Sequence, residues 1–211
     1  WLGVAMLEEA LALRTAGITA PILAWLWTPG EEAALSAAIA AGVDVSVSDV
    51  GALRAVAKAA GELGRRARVH LKIDTGLSRN GAYVTDWPEL VAAAGAADEV
   101  EVVGIWSHLA CADVPGHPSI DRQREAFVAA LDRADGLGVH PTVRHLSNSA
   151  ATLTRPDLHF DLVRAGIAIY GLSPVPERGS FGLTPAMTLR AELALVKRVG
   201  PGEGVSYGHS Y

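Results

Sequence analysis

Short apolar, β-branched stretches recur along this chain, each followed by about a dozen residues of helical pattern. That alternation constrains the fold more than any other feature, because it is the signature of βα units on a parallel sheet. Strands are predicted at 1–5, 21–27, 43–47, 68–74, 102–109, 142–147 and 162–170. Helix starts are marked between them. Thr28-Pro-Gly-Glu31 reads as a capping box with Pro29 at the first helical position. Ser48 and Asp49 precede GALRAVAKAAGELG, which stops on glycine. Ser119 precedes IDRQREAFVAALDRADGLG, where Ala126, Phe127 and Leu131 recur at helical spacing. The strands read apolar on both faces, as buried parallel strands do.

The pattern changes near Ser173. Pro174, Pro176, Gly179, Gly182 and Pro185 form a linker-like stretch. After it, 187–199 (through TLRAELALVKRV) is predicted as a strand, followed by a turn at GPGEG and the tail VSYGHSY. A closed (β/α)8 TIM-type barrel needs eight strands. The expected architecture is therefore an α/β barrel with about seven of eight units over 1–180, and the start of a β-rich second domain over 181–211. An open doubly wound sheet competes with it, but no glycine-rich dinucleotide fingerprint follows an early strand.

Composition removes several classes. Half of the 211 residues are apolar and 19% are charged, which excludes intrinsic disorder. No apolar run approaches the roughly 18–20 residues of a membrane span. A net charge of −5, with no basic run interleaved with aromatics, argues against a nucleic-acid partner. Cys111 is the single cysteine, so no internal disulfide can form and a cytoplasmic setting is expected. The opening WLGVAMLEEA has neither an initiator Met nor a basic leader and reads as a start inside a longer gene product.

In a barrel, catalytic groups lie just past the C-terminal ends of strands. There the chain carries Lys72-Ile-Asp-Thr-Gly-Leu-Ser-Arg79, Ser107-His108-Leu-Ala-Cys111, Arg144-His145-Leu-Ser-Asn148-Ser149, and Arg164-Ala-Gly166-Ile167. Taken singly, a strand-end Lys beside an Asp is commonly a surface pair, and a lone His such as His108 is commonly structural. Arg164 is less ordinary, because it sits in an apolar run between Leu162, Val163, Ile167 and Ile169. Burying a guanidinium there costs several kcal/mol unless it is paired. Ser149 and the backbone at Gly166 could serve an anion such as a phosphate. His108, Cys111, Asp113 and His117 match no zinc spacing, so no metal is expected, and no Gly-x-Ser-x-Gly elbow is present.

LKIDTGLSRNG, GIWSHLACAD, HLSNSAA, LVRAGIAIYGL and VSYGHSY together resemble alanine racemase, a fold-type III pyridoxal-phosphate enzyme. The motifs occur in that family's order and cover most of the chain. The resemblance implies a (β/α)8 barrel followed by a β-rich domain, a homodimer with each site completed across subunits, pyridoxal 5′-phosphate as cofactor, and alanine as substrate. The implied reaction is interconversion of L- and D-alanine, supplying D-alanine for peptidoglycan. Arg164 would face the pyridine nitrogen; a fixed cation there discourages ring protonation and favours simple loss and return of one proton. His145 would hold Arg164. Ser149 and the backbone of Gly166 and Ile167 would cradle the phosphate, with Asn148 beside them. Arg79 would address the substrate carboxylate, oriented by Lys72, whose family counterpart is often carbamylated. Tyr207 would be the base for the L-isomer, reaching into the other subunit's barrel and tuned by His108.

One departure matters. The family binds its cofactor through a lysine in a V-K-A-N-A-Y-G-H type motif, and none of Lys58, Lys72 and Lys197 lies in such a context. The chain therefore reads as an internal fragment of a racemase, inactive alone. A related racemase acting on serine, or a non-catalytic pyridoxal-phosphate barrel, is the alternative; the tail with VSYG argues against the latter.

Overall fold

The computed structural model describes residues 1–209. Ser210 and Tyr211, the end of the predicted second domain and of the VSYGHSY motif, lie outside the described residues. Helices and strands alternate as β1 (Leu2–Val4), α1 (Leu7–Thr15), β2 (Ile22–Ala24), α2 (Glu32–Ala40), β3 (Asp44–Val47) and α3 (Val50–Glu62). They continue through β4 (Ala67–Lys72), α4 (Trp87–Ala96), β5 (Val100–Trp106), α5 (Ser119–Asp135), β6 (Val143–His145) and α6 (Ser149–Thr154). The strands form one six-stranded parallel sheet in the order β1-β2-β3-β4-β5-β6. Each strand thus pairs with its sequence neighbour, and the strand order never reverses as it does in a doubly wound sheet. That competing architecture is excluded for the described residues.

The sheet curls. Strands two or three positions apart lie about 10–15 Å apart in a flat sheet. Yet the Trp1 ring, at the entry to β1, meets the β4 ring of His70 at 5.4 Å, and His70 meets His145 of β6 at 5.1 Å. These side chains therefore converge on a concave face. The helices cover the other face. In α3, Leu53, Val56, Ala59 and Ala60 are buried at helical spacing, and the Asp49 side chain caps the helix by accepting the Ala52 N–H at 2.8 Å.

Four local expectations are corrected. The run 162–170 is not a strand: it makes a single bridge, Asn148 to Arg164, and then turns into the 3-10 segment Ile167–Tyr170. A buried parallel strand needs neighbours on both sides, and Ile167, Ile169 and Tyr170 are exposed. The run 187–199 forms no ladder either, and Leu189, Leu193, Leu195 and Val196 lie open with no strand to pair against. Helix α2 starts at Glu32 rather than Pro29. Glu31 does reach back to the Thr28 N–H and hydroxyl, so only half of the box forms, as a turn ahead of the helix. In α5 the buried stripe is Ile120, Gln123, Phe127, Ala130 and Ala134; Leu131 is half-buried and Ala126 faces out. No helix among the described residues is long and apolar enough to cross a membrane.

Candidate active site

Three strand ends build the floor of the site. Register aligns Lys72 of β4, Trp106 of β5 and His145 of β6 in one row across the sheet. Trp106 is buried and stacks on His145 at 5.6 Å with an interplanar angle of 3°. Its indole N–H donates to Ser46 Oγ at 3.0 Å, and two cations sit over its ring, Lys72 Nζ at 4.4 Å and the Arg164 guanidinium at 4.8 Å. Trp106 thus spaces two like charges, a role its place in a predicted strand did not disclose.

Arg164 is the hub. Its Nη1 donates to His145 Nδ1 at 3.0 Å; its Nη2 donates to the Ser107 carbonyl at 2.7 Å, the Leu146 carbonyl at 3.0 Å and His108 Nδ1 at 3.3 Å. These bonds explain how a guanidinium survives in an apolar run. Burial pushes it down to about 9, still protonated at neutral pH. No buried side-chain polar atom among the described residues lacks a partner, so Nε, which has none, is reached by solvent.

The charges around Arg164 set their neighbours. His108 is pushed down to about 4 by burial and by the Arg164, Arg79 and Lys72 cations, so it is neutral at pH 7. Because a guanidinium only donates, His108 Nδ1 accepts and its proton resides on Nε2, a donor available to the cleft. His145 is pushed far down by burial first, then by Arg164 and His70. Lys72 falls to about 8, chiefly through burial, with Arg79 and Arg164 adding to it.

Two loops carry the remaining groups. After β4, the Asp74 carboxylate accepts the N–H groups of Gly76, Leu77 and Ser78 at 2.9, 3.0 and 3.1 Å, shaping the loop that presents Arg79. Arg79 is exposed there. Gln123 of α5 ties this loop to the next. It is buried, donates to Thr75 Oγ1 at 3.1 Å and the His108 carbonyl at 3.0 Å, and accepts the Ala110 N–H at 2.8 Å. Thr75 in turn meets Ser107 Oγ at 2.7 Å. Sequence reading missed Gln123, although one signal existed: it is the polar member of an otherwise apolar stripe on α5.

On the opposite side, Asn148 caps α6 by accepting the Ala151 N–H at 3.1 Å. Ser149 Oγ accepts the Ala168 N–H at 3.3 Å, and a Cβ on Gly166 would lie 4.0 Å from that oxygen. Ser149, Gly166 and Ile167 are therefore brought together, and the Gly166 and Ile167 N–H groups meet no acceptor among the described residues. Tyr207 is not brought in; it is fully exposed on the turn Tyr207–His209. Nor do His108, Cys111, Asp113 and His117 form a cluster: among the described residues no three or more His, Cys, Asp or Glu groups are placed to hold a metal ion.

The chain is similar to known proteins. Residues 1–174 match the family described as "Alanine racemase, N-terminal domain". Alanine racemase of Salinispora arenicola is 58% identical over the whole chain, which covers 57% of that protein; that of Mycobacterium leprae is 50% identical, with 54% covered. Among solved structures, alanine racemase from D-cycloserine-producing Streptomyces lavendulae superposes with a TM-score of 0.95 at 58% identity, covering all of this chain and 56% of that one. The enzyme of Streptomyces coelicolor A3(2) gives 0.94 at 53% identity, with 57% of its chain covered. The chain thus spans a little over half the length of these relatives.

Proposed function

The chain belongs to the alanine racemase family, and on that premise we propose that the protein carrying it interconverts L- and D-alanine with pyridoxal phosphate and two bases, supplying D-alanine for peptidoglycan. The observation that carries this reading is Arg164: a half-buried cation fixed by four acceptors on its two Nη atoms, with its Nε–H left unpaired. The donor set fits the cofactor. Arg164 Nε–H suits an unprotonated pyridine nitrogen, and Ser149 with the unused N–H groups of Gly166 and Ile167 suits a phosphate. When bound, the cofactor supplies electron withdrawal that makes the substrate Cα proton acidic.

The residues then divide the work. Arg164 stays charged and keeps the pyridine nitrogen unprotonated, limiting chemistry to loss and return of one proton. Arg79, on the loop shaped by Asp74, binds the substrate carboxylate, with Lys72 behind it. Tyr207 serves the partner subunit as base for the L-isomer, in keeping with its exposure here. A phenol titrates near ~10, so it needs a donor to its oxygen to work at pH 7. Neutral His108, with its proton on Nε2, is such a donor. None of Lys58, Lys72 and Lys197 matches the lysine through which the family holds the cofactor, so turnover is proposed for the full-length protein and its homodimer.

The same reading makes 1–180 a partial eight-stranded barrel, which the unreversed order of the six strands supports. It makes 181–211 the start of a second domain, in keeping with Val175 being the last buried apolar residue among those described. It also assigns a cytoplasmic location. The test is exchange of the alanine α-proton in deuterated water by the full-length holoenzyme. Exchange with both isomers is expected; a protein that binds the cofactor yet exchanges neither refutes the proposal.

A further inference from the structure

Behind the site runs a buried polar chain that the reaction as described does not use. His145 Nε2 lies 2.9 Å from His70 Nδ1, and His70 Nε2 lies 3.3 Å from Asp44 Oδ2. His70 and His145 are fully buried, and Asp44 is 2% exposed. The Asp44 carboxylate also accepts from Arg68, Nε at 2.7 Å and Nη2 at 3.3 Å. Burial alone would raise its pKa, but the His70 and Arg68 hydrogen bonds outweigh that and hold it below the usual carboxylate range.

The two ends of this chain fix its direction. Arg164 can only donate, so His145 Nδ1 accepts and neutral His145 carries its proton on Nε2. That proton points at His70 Nδ1. His70 therefore carries its own proton on Nε2, facing a carboxylate that can only accept. Donor-only and acceptor-only termini thus force both tautomers, and no member is left unpaired.

The sheet is built to let the chain through. His70 of β4, Gly104 of β5 and Val143 of β6 share one register row on the concave face. Gly104 is the gap in that row: a Cβ there would fall within 2.7 Å of His70 Cε1 and 2.8 Å of its Cγ. Only a residue without a side chain lets the His70 ring lean across β5 to His145.

We propose that His70 and Asp44 are positioning residues: through the Arg164–His145–His70–Asp44 chain they fix the His145 tautomer and so aim the Arg164 cation at the cleft. This rests on the racemase reading for its catalytic consequence but not for its geometry. Losing the outer partner of a metal-ligating histidine typically lowers function about 10–100-fold, and an effect at the lower end of that range is expected for this chain, where the histidine holds a guanidinium instead.

The test uses the full-length protein. Long-range proton–nitrogen NMR of the cofactor-free form reads the histidine tautomers, and the holoenzyme is assayed for transamination against racemisation. In transamination, alanine and pyridoxal phosphate yield pyruvate and pyridoxamine phosphate. We expect the proton on Nε2 in both His145 and His70. Asp44→Leu removes the acceptor and should mix the His70 tautomers and raise the transamination-to-racemisation ratio on the order of tenfold. Asp44→Asn keeps an acceptor oxygen and should leave tautomers and ratio near wild type, although it loses the Arg68 ion pair as Asp44→Leu does. A purely structural role would make the two variants alike in ratio, which would overturn the proposal. So would a wild-type His145 protonated on Nδ1, a result obtained even if Asp44→Leu does not fold. A wild-type protein with these tautomers but no racemase activity would instead refute the functional reading alone.

Discussion

Gly104→Ala isolates the steric condition for the buried histidine chain. A Cβ at this position would lie 2.7 Å from His70 Cε1, 2.8 Å from Cγ and closer still to Nδ1, so the imidazole must move. Inserting a methylene into a packed core costs about 1–3 kcal/mol. Moving the ring also breaks its 2.9 Å contact with His145, stranding a buried N–H at about 1–3 kcal/mol more. The expected loss is therefore about 2–6 kcal/mol. In a His70→Ala background the methyl meets no ring, and Gly→Ala at a φ outside the left-handed region should be neutral or stabilising by about 0.4–1 kcal/mol. The assay is denaturant unfolding of wild type, both single variants and the double variant, all full-length and cofactor-free. A coupling energy of about 2–7 kcal/mol is expected from the cycle. Additivity within about 0.5 kcal/mol, the behaviour of sites without shared partners, would refute the reasoning.

Further outcomes follow from the same geometry. Gln123→Leu keeps the volume but strands the Ala110 N–H, so stability should fall by about 1–3 kcal/mol and the Ala110 amide should exchange faster; unchanged exchange there would remove Gln123 as the tie between the two loops. His108 binds a proton near 6.5 when unfolded and near 4 when folded. The unfolded state thus holds more protons between those values, and stability should rise from pH 4 to 6.5 by up to about 3 kcal/mol and then level off, a slope that His108→Gln should flatten in unfolding midpoints measured across that range. Arg164→Glu in the full-length holoenzyme should let the pyridine nitrogen protonate and raise pyruvate formation relative to racemisation; an unchanged product ratio would sink the assigned role. Lys72, lowered to about 8 chiefly by burial, should titrate near that value by NMR, and a midpoint at 10 or above would mean that its ammonium is hydrated rather than buried against Trp106.

Much of this was legible in the sequence because it is local. The six strands that form were all anticipated, since each is a short β-branched run between helical patterns, and the observed elements lie mostly within a few residues of the predicted bounds. The two predicted strands that do not form, 162–170 and 187–199, show the limit of that logic: composition marks a strand, but a ladder needs a partner, and neither run has one along its length. The site divides the same way. Arg164 was conspicuous as a charge in an apolar run, and the structure supplies the acceptors that tolerance of such a charge requires. Asp44 and His70 carried a weaker version of that signal, polar residues inside strands whose other positions are buried. What no local pattern holds is the direction of their bonds. His70 reaches back 26 residues to Asp44 and forward 75 to His145, across a gap that exists because a third strand has a glycine in the same row. The tautomers, and with them the orientation of Arg164, are properties of that register: shift β5 by one residue and Ile105 or Val103 would stand where Gly104 leaves room, breaking the link while every residue keeps its strand.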